Sequence, residues 1–599
     1  MSTATETPGV NPVPVNPASG VDPIAIAEEK RYRPNPADVH RLAPNRDERL
    51  FLVLSIFIGV ISGLLVVCFR VAISWIQVLT LGSSPHPGQL RLFFVPMGVG
   101  LLVAVLVQLV FPGARGSGIN QTKAALYIYN GYISFRTVIG KFITSALSIG
   151  GGFSLGPEDP SLQIGAGVAS MVSRRLNLSR ERLRMFAPSG AAAGLAAAFN
   201  APISAILFVV EEVIGRWSAG ILGSVVLSAV ASVVIERWFL GSEPLFRIPV
   251  TTFKRPAELI AYVVLGIAGG FAAFLFGQAI GYLRPRLRAL PRWTQYLQSA
   301  IAGFLIGCIG YFGAPQVMGA GYNFMDQAMH GQYVWQFLAL LALLKIVATT
   351  LSFTSGTPGG MFAPTLFIGA MLGGAVGGLE HIFIPHLSTA SNGTYVLVGM
   401  GVLFAGFLRA PMTSVFMVLE MSGNYEIIVP VIVANTFAYV VARSLQPTAI
   451  FDLLTRQDGL TLPSLEEERE EAILRVEDAT LPTPAIVLSA ADYVDAAARR
   501  VEASAQTVFP VRLQPSGWSA VTRDLLLRLD KEGKGEHTLG SLIPPQPLPY
   551  LFPDLPLDSA LRFVQTNAFI PVVNRANPQK LEGIVTSASV FTKYGAKPK

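Results

Sequence analysis

The sequence predicts an all-α polytopic membrane protein made of two inverted-topology repeats with broken helices, followed by a small α+β pair of modules at the C-terminal end. Three observations predict it. Charged residues make up 14% of the 599 residues and hydrophobic residues 51%, with 57 glycines, whereas an ordinary soluble protein is about 25% charged. Apolar runs follow one another from Leu50 to about Leu445 with only short interruptions. The second half of that region repeats the first. The net charge of +7 sits mostly in short loops between apolar runs, where the positive-inside bias places it, so no nucleic-acid partner is implied. Cys68 and Cys308 both lie inside apolar runs, and the six histidines are scattered. A disulfide framework and a metal site are therefore not expected.

Residues 1–46 are rich in Pro, Asn, Thr and Ala, with no run suited to a signal peptide, and are expected to form a disordered cytoplasmic tail. The cluster Arg46-Asp47-Glu48-Arg49 holds that end inside. The membrane domain is expected over 47–452. Its candidate spans are 50–80, 91–111, 132–150, 219–239, 256–283, 297–313 and 333–353, against a requirement of about 20 residues. Six further stretches are shorter and interrupted by Gly and Pro: 161–173, 185–199, 201–214, 361–377, 395–408 and 411–421. Broken helices are tolerated at membrane depth only where they are buried in protein or line a cavity, which points to a transport pathway. Residues 453–475, with the acidic run Glu466 to Glu471, read as a linker. Residues 476–599 have soluble composition and a repeat of their own. Val494-Asp495-Ala496-Ala497, Phe509-Pro510-Val511 and Ala520-Val521-Thr522 are echoed by Leu557-Asp558-Ser559-Ala560, Ile570-Pro571-Val572 and Ile584-Val585-Thr586. Each set reads as helix, strand, turn, strand.

The membrane repeat is plain. Lys141–Ala166 aligns without gaps on Lys345–Ala370, with ten of 26 positions identical. Gly116-Ser117-Gly118-Ile119-Asn120 matches Gly319-Ala320-Gly321-Tyr322-Asn323, and Ala201-Pro202 with Glu211 matches Ala410-Pro411 with Glu420. The halves are 50–240 and 255–450. The loop from Arg174 to Arg184 holds five arginines and its counterpart around 382–394 holds no Lys or Arg. Around Arg284 to Arg292 the contrast is reversed, so the halves are expected to be inverted, a transporter architecture.

Three segments place small residues at helix starts: Gly116 to Asn120, Gly156-Pro157-Glu158-Asp159-Pro160 and Gly360-Met361-Phe362-Ala363-Pro364. Helix N-termini offer free N–H groups and partial positive charge, so three of them converging would bind an anion without a full cation. Ser117 adds a hydroxyl. Two carboxylates break the repeat: Glu158 stands opposite Phe362, and Glu212 opposite Met421. A charge at membrane depth costs about 2.5–3.5 kcal/mol, which marks both as functional candidates. Glu211 and Glu420 obey the repeat and are expected to be structural.

These segments, together with the run from Gly190 to Pro202 followed by Glu211-Glu212, resemble the CLC family of chloride channels and chloride/proton antiporters over about 50–450. The C-terminal modules resemble a pair of CBS domains. The resemblance implies a homodimer in a plasma or inner membrane, with both termini cytoplasmic, one anion pathway per subunit, and no cofactor. It implies that Ser117 coordinates chloride, that Glu158 is the external gate and that Glu212 is the internal proton carrier. It further implies that backbone groups at Gly118, Ile119, Phe362 and Ala363 line the anion site. Phe451 stands where the family has a tyrosine, Asn120 where it has a proline, and Gly-Pro-Glu-Asp-Pro where it has Gly-Arg-Glu-Gly-Pro. The Asp expected after the Thr of each CBS module is shifted to Asp524 in one and missing after Thr586 in the other, so the resemblance does not extend to nucleotide binding. The expected function is chloride/proton antiport, not enzymatic catalysis, with a passive chloride channel as the alternative. A fluoride exporter is disfavoured by Ser117, a divalent-cation transporter by the scarcity of acids in the spans, and a membrane hydrolase by the lack of a catalytic constellation.

Overall fold

Long apolar runs form single helices, and Gly- and Pro-broken runs form short helices whose ends meet inside the membrane domain. The structure, a computed structural model, describes residues 44–593 except 84, 179, 216–218, 247–255, 292, 385–389, 461–473, 505, 514–516, 543–546, 565–566 and 576. Most of the expected N-terminal tail and of the linker, with its acidic run, lies outside the described residues. The last residues of the expected tail, from Pro44, already belong to the first helix; proline fits a first helical turn because it has no N–H to lose there. The chain divides into two compact units, Met1–Leu462 and Pro463–Lys599.

In the first unit, half one comprises α1 (Pro44–Thr80), α2 (Leu90–Val105), α3 (Ile119–Tyr127), α4 (Phe135–Gly150), α5 (Glu158–Arg175), α6 (Arg180–Phe199), α7 (Pro202–Phe208) and α8 (Ala219–Leu240). Half two repeats the order as α9 (Glu258–Ala289), α10 (Thr294–Tyr311), α11 (Tyr322–Met329), α12 (Trp335–Thr354), α13 (Phe362–Phe383), α14 (Asn392–Leu408), α15 (Pro411–Ser422) and α16 (Ile428–Leu445), and α17 (Ile450–Gln457) follows. Among the described residues, 7 helices are long and apolar enough to cross a membrane. All expected spans and broken segments are helical, but the segment expected as short at 361–377 lies in α13, a 22-residue helix that is one of the seven, whereas α4 and α10, expected as spans at 132–150 and 297–313, are not among them.

Glycine lets the inner helices approach to backbone contact. A Cβ at Gly165 of α5 would come 2.1 Å from the Gly190 carbonyl of α6, and one at Gly399 of α14 would come 2.2 Å from the Gly369 carbonyl of α13. This is the small-residue packing expected where lipid gives no hydrophobic drive between helices. Three further pairs follow the repeat: two of them cross between the halves, and the lysine pair acts within each half. Gly156 N–H donates to Gly360 O (2.9 Å) and Gly360 N–H to Gly156 O (2.8 Å), so the two loops meet antiparallel. Lys141 Nζ holds the carbonyls of Ala114 and Gly116, and Lys345 Nζ those of Val317 and Gly319. Glu420 accepts Ile203 N–H, Ser204 N–H and Ser204 Oγ–H at the start of α7, while Glu211 accepts Thr413 N–H and Oγ–H at the start of α15.

The second unit contains two three-stranded sheets. One has the order β2 (Leu488–Ser489), β3 (Val508–Arg512), β4 (Trp518–Thr522); the other has the order β1 (Leu481–Pro482), β6 (Leu581–Val585), β5 (Ile570–Val573). Helices α18 (Val494–Glu502) and α21 (Asp558–Val564) precede the β3–β4 and β5–β6 hairpins, as the internal repeat predicts. Each sheet has its own apolar core, with Phe509, Val511 and Leu526 in one and Ile570, Val572 and Val585 in the other. Thr522 Oγ1 accepts Leu525 N–H as a helix cap, and Asp524 beside it is exposed.

Because Glu420 and Glu211 cap helices of the opposite half, Glu420→Ala is expected to destabilise the protein by about 1–2 kcal/mol, and Glu211→Ala by somewhat less. Melting curves in detergent check this; unchanged curves for both variants would remove the cross-capping from the stability of the fold.

Candidate anion and proton site

The three glycine-containing loops converge. Gly116 O accepts Gly359 N–H at 3.5 Å, and the Gly156–Gly360 pair sets the first turns of α5 and α13 facing each other. The ring of Phe362 is buried against Phe199, Phe208 and Phe404, with centroids 5.9, 4.8 and 5.1 Å away. That packing turns the side chain out of the loop region and leaves the backbone of α13's first turn toward the opposing loop.

The carboxylate of Glu158, fully buried at the start of α5, reaches this turn. Its Oε2 accepts Ala363 N–H at 3.3 Å, and its Oε1 accepts the hydroxyl of Tyr322 at the start of α11. Asp159, also fully buried, reaches the same helix end: Oδ2 accepts Met361 N–H at 3.0 Å, while Oδ1 is buried without a hydrogen-bond partner. Two acidic side chains thus occupy the N–H groups of α13, as a helix N-terminus favours.

The start of α3 differs from the expectation of a third open N-terminus. Gly118 N–H donates to Gln121 Oε1 (2.9 Å), and Ile119 N–H donates to Ser117 Oγ (3.3 Å). A glutamine three residues into a helix reaches back to the cap residue, so these backbone donors are already satisfied. Ser117 is buried and accepts one bond, leaving its own hydroxyl proton as the donor this loop can offer. Phe451, at the start of α17, is fully buried, and its carbonyl accepts Asn120 Nδ2 at 3.1 Å. The Asn120 amide therefore ties α3 to α17.

Glu212 lies in a π-helical turn, Val209–Ile214, that continues α7. Such turns displace side chains from the α-helical register and are frequent at functional sites. Here Glu211 faces α15 and the buried Glu212 faces α3, where Lys123 Nζ lies 2.8 Å from Glu212 Oε1 and 3.5 Å from Asp452 Oδ1. A cavity of about 310 Å³ is lined among others by Arg70, Gln77, Pro157, Met318 and Tyr322. The structure thus groups Glu158, Phe362 and Ala363 with Asp159 and Tyr322, and groups Glu212 with Lys123, Asp452 and the Asn120–Phe451 contact. Sequence reasoning passed over Lys123 and Tyr322. A lysine within an apolar region and a hydroxyl opposite Ile119 in the repeat were the signals that could have found them.

Comparison with known proteins places this arrangement. Residues 99–443 match the family model described as voltage gated chloride channel. The chain is 31% identical over 427 residues to a ClcB-like chloride channel protein of Ralstonia nicotianae, covering 69% of this chain and 99% of that one. It is equally 31% identical over 427 residues to the H(+)/Cl(-) exchange transporter ClcA of Salmonella arizonae, covering 68% and 89%. Among solved structures, that of a slow cyanobacterial Cl-/H+ antiporter superposes with a TM-score of 0.63 at 27% identity, covering 70% of this chain and 99% of that one. The chain belongs to the voltage gated chloride channel family, the CLC proteins.

Proposed function

We propose that this protein exchanges chloride for protons across a membrane. The observation that carries the reading is the Glu158 carboxylate seated on the Ala363 N–H at the start of α13: an anionic side chain of the protein takes a position a chloride ion would take. While ionised, Glu158 competes with chloride for that helix end. Protonation removes the charge the helix end favours, the side chain leaves, and an anion enters. Each return of Glu158 to the site releases the proton, so one group links the two movements. Ser117 Oγ–H and the first-turn N–H groups at Phe362 and Ala363 receive the anion, with the Gly118–Ile119 turn shaping the wall and Phe451 closing the far side. Glu212 passes the proton on toward the cytoplasm, with Lys123 and Asp452 beside it. The relative from Salmonella and the cyanobacterial structure carry names that agree with this exchange. The working form is a homodimer with a pathway in each subunit and both termini cytoplasmic.

A passive chloride channel is the second reading, since the Ralstonia relative is named as a channel protein. Purified protein in a bilayer under crossed chloride and pH gradients separates the two. Exchange predicts a reversal potential displaced from the chloride equilibrium potential by the proton gradient; a potential equal to the chloride value establishes the channel. In vesicles, Glu158→Ala is expected to pass chloride while proton uptake driven by a chloride gradient ceases, and Glu212→Gln to keep chloride flux but lose coupled proton movement. Proton uptake at the wild-type ratio in either variant would remove that residue from the pathway.

The buried Lys123–Glu212 pair yields a further expectation. Removing one member strands the other charge, at a cost of about 3–5 kcal/mol. Lys123→Met should therefore melt well below the wild type, and Lys123→Met combined with Glu212→Gln should recover much of the loss. Additive losses in the double variant would show that the two side chains do not interact.

A further inference from the structure

Tyr322 has no part in the exchange scheme above, yet it touches the gate. It opens α11 directly after Gly321, whose φ of +86° favours glycine. A Cβ at Gly321 would come 2.6 Å from the Phe367 ring. Lys345 Nζ fixes the approach to this turn through the carbonyls of Val317 (2.9 Å) and Gly319 (2.8 Å). The tyrosine is thus set on a turn with little freedom. Its hydroxyl donates to Glu158 Oε1, while Glu158 Oε2 accepts Ala363 N–H. Two elements of the second half therefore grip the two oxygens of one carboxylate. Tyr322 also lines the 310 Å³ cavity together with Arg70, Gln77 and Pro157, so the residue that touches Glu158 is itself reached from that cavity. The equivalent position in the first half, Ile119, carries no hydroxyl.

We propose that Tyr322 is a latch on the gate: its hydroxyl holds ionised Glu158 in the anion's place and sets how fast the pathway opens. The proposal rests on the reading of Glu158 as the gate. A hydrogen bond to an ionised acceptor is about twice as strong as one between neutral groups. The latch therefore favours the charged, site-filling state over the protonated, vacated one, and each transport cycle has to break it. The charged and titratable groups around Glu158 are Asp159 beside it on α5 and Tyr322 itself, together with two more distant cations, Arg70 of α1, paired with Glu236, and Lys345 of α12, bound to the Val317 and Gly319 carbonyls. Tyr322→Phe removes only the hydroxyl and keeps the ring and the other three groups.

The test is chloride efflux and proton uptake by liposomes holding the full chain. Tyr322→Phe is expected to raise chloride turnover about tenfold with the chloride-to-proton ratio unchanged, and to have no effect on turnover in a Glu158→Gln background. A turnover within about twofold of wild type, or a slower one, overturns the latch. So does an equal acceleration in the Glu158→Gln background, which would place the effect in the width of the path rather than in the carboxylate. A merely structural tyrosine would alter melting and yield without this dependence on Glu158. Should the phenylalanine variant not be recovered as a monodisperse protein, Tyr322→Leu is read against the same outcomes. Glu158→Ala separates the two readings: continued coupled proton uptake by that variant refutes the gate itself, whereas loss of coupling alongside a wild-type rate for Tyr322→Phe refutes only the latch.

Discussion

Two backbone hydrogen bonds between Gly156 and Gly360 hold the two halves together at the point where the helix ends of the site meet. They dictate much of what surrounds them. Each loop gives one N–H and one C=O to the other, so neither leaves an unsatisfied backbone group in the protein interior. The exchange sets α5 and α13 with their first turns opposed, and so brings the Glu158 and Asp159 carboxylates onto α13. Only glycine allows it. A Cβ at Gly156 would lie 2.2 Å from Glu158 Oε2 and 2.8 Å from the Ala363 Cβ, and one at Gly360 would lie 2.7 Å from Asp159 Oδ1. Either side chain would expel a carboxylate from the helix end it occupies.

Around this centre the repeat is kept where the scaffold needs it and broken where chemistry is added. Lys141 and Lys345 perform the same task in each half, as do Glu211 and Glu420. Glu158 has Phe362 as its counterpart, Asp159 has Ala363, Glu212 has Met421, and Tyr322 has Ile119. The phenylalanine of one half packs into an aromatic cluster, while the glutamate of the other reaches across to a helix end. One loop geometry, built twice, thus supplies a donor surface on one side and an acidic occupant on the other.

The long spans, the broken helices and the repeat were legible because each rests on composition over many residues. Helix α16 was passed over as a separate span because Pro430, Asn435 and Thr436 interrupt its apolar run. In the fold Asn435 is buried and its Nδ2 donates to Ser414 Oγ, while its Oδ1 is left without a hydrogen-bond partner. The symmetry-breaking argument singled out Glu158 and Glu212, but it was applied to carboxylates alone and so missed Tyr322. The satisfied N–H groups of α3 were missed. They depend on Gln121 and Ser117 folding back onto the turn; the glutamine three residues past Gly118 was the one spacing that signalled it. The π-turn at Val209–Ile214 is silent in sequence, yet it directs Glu211 and Glu212 to different partners.

The disposition of buried cations bears on how an anion can be both bound and released. A lysine ammonium in direct contact with chloride, away from water, would bind it too firmly for turnover. Neither Lys141 nor Lys345 offers that contact. Each spends its donors on carbonyls that precede a glycine-containing loop, Ala114 and Gly116 in one half and Val317 and Gly319 in the other. Lys123, the third buried lysine, is neutralised by Glu212 and flanked by Asp452. On the proposed reading, what remains for the anion is a set of partial charges, the N–H groups of α13 and the hydroxyl of Ser117, whose attraction a single carboxylate can match. In the exchange proposed here, an occupant that the carboxylate can displace, and that can displace it in turn, is the condition under which one proton on Glu158 would decide which of the two sits at the start of α13.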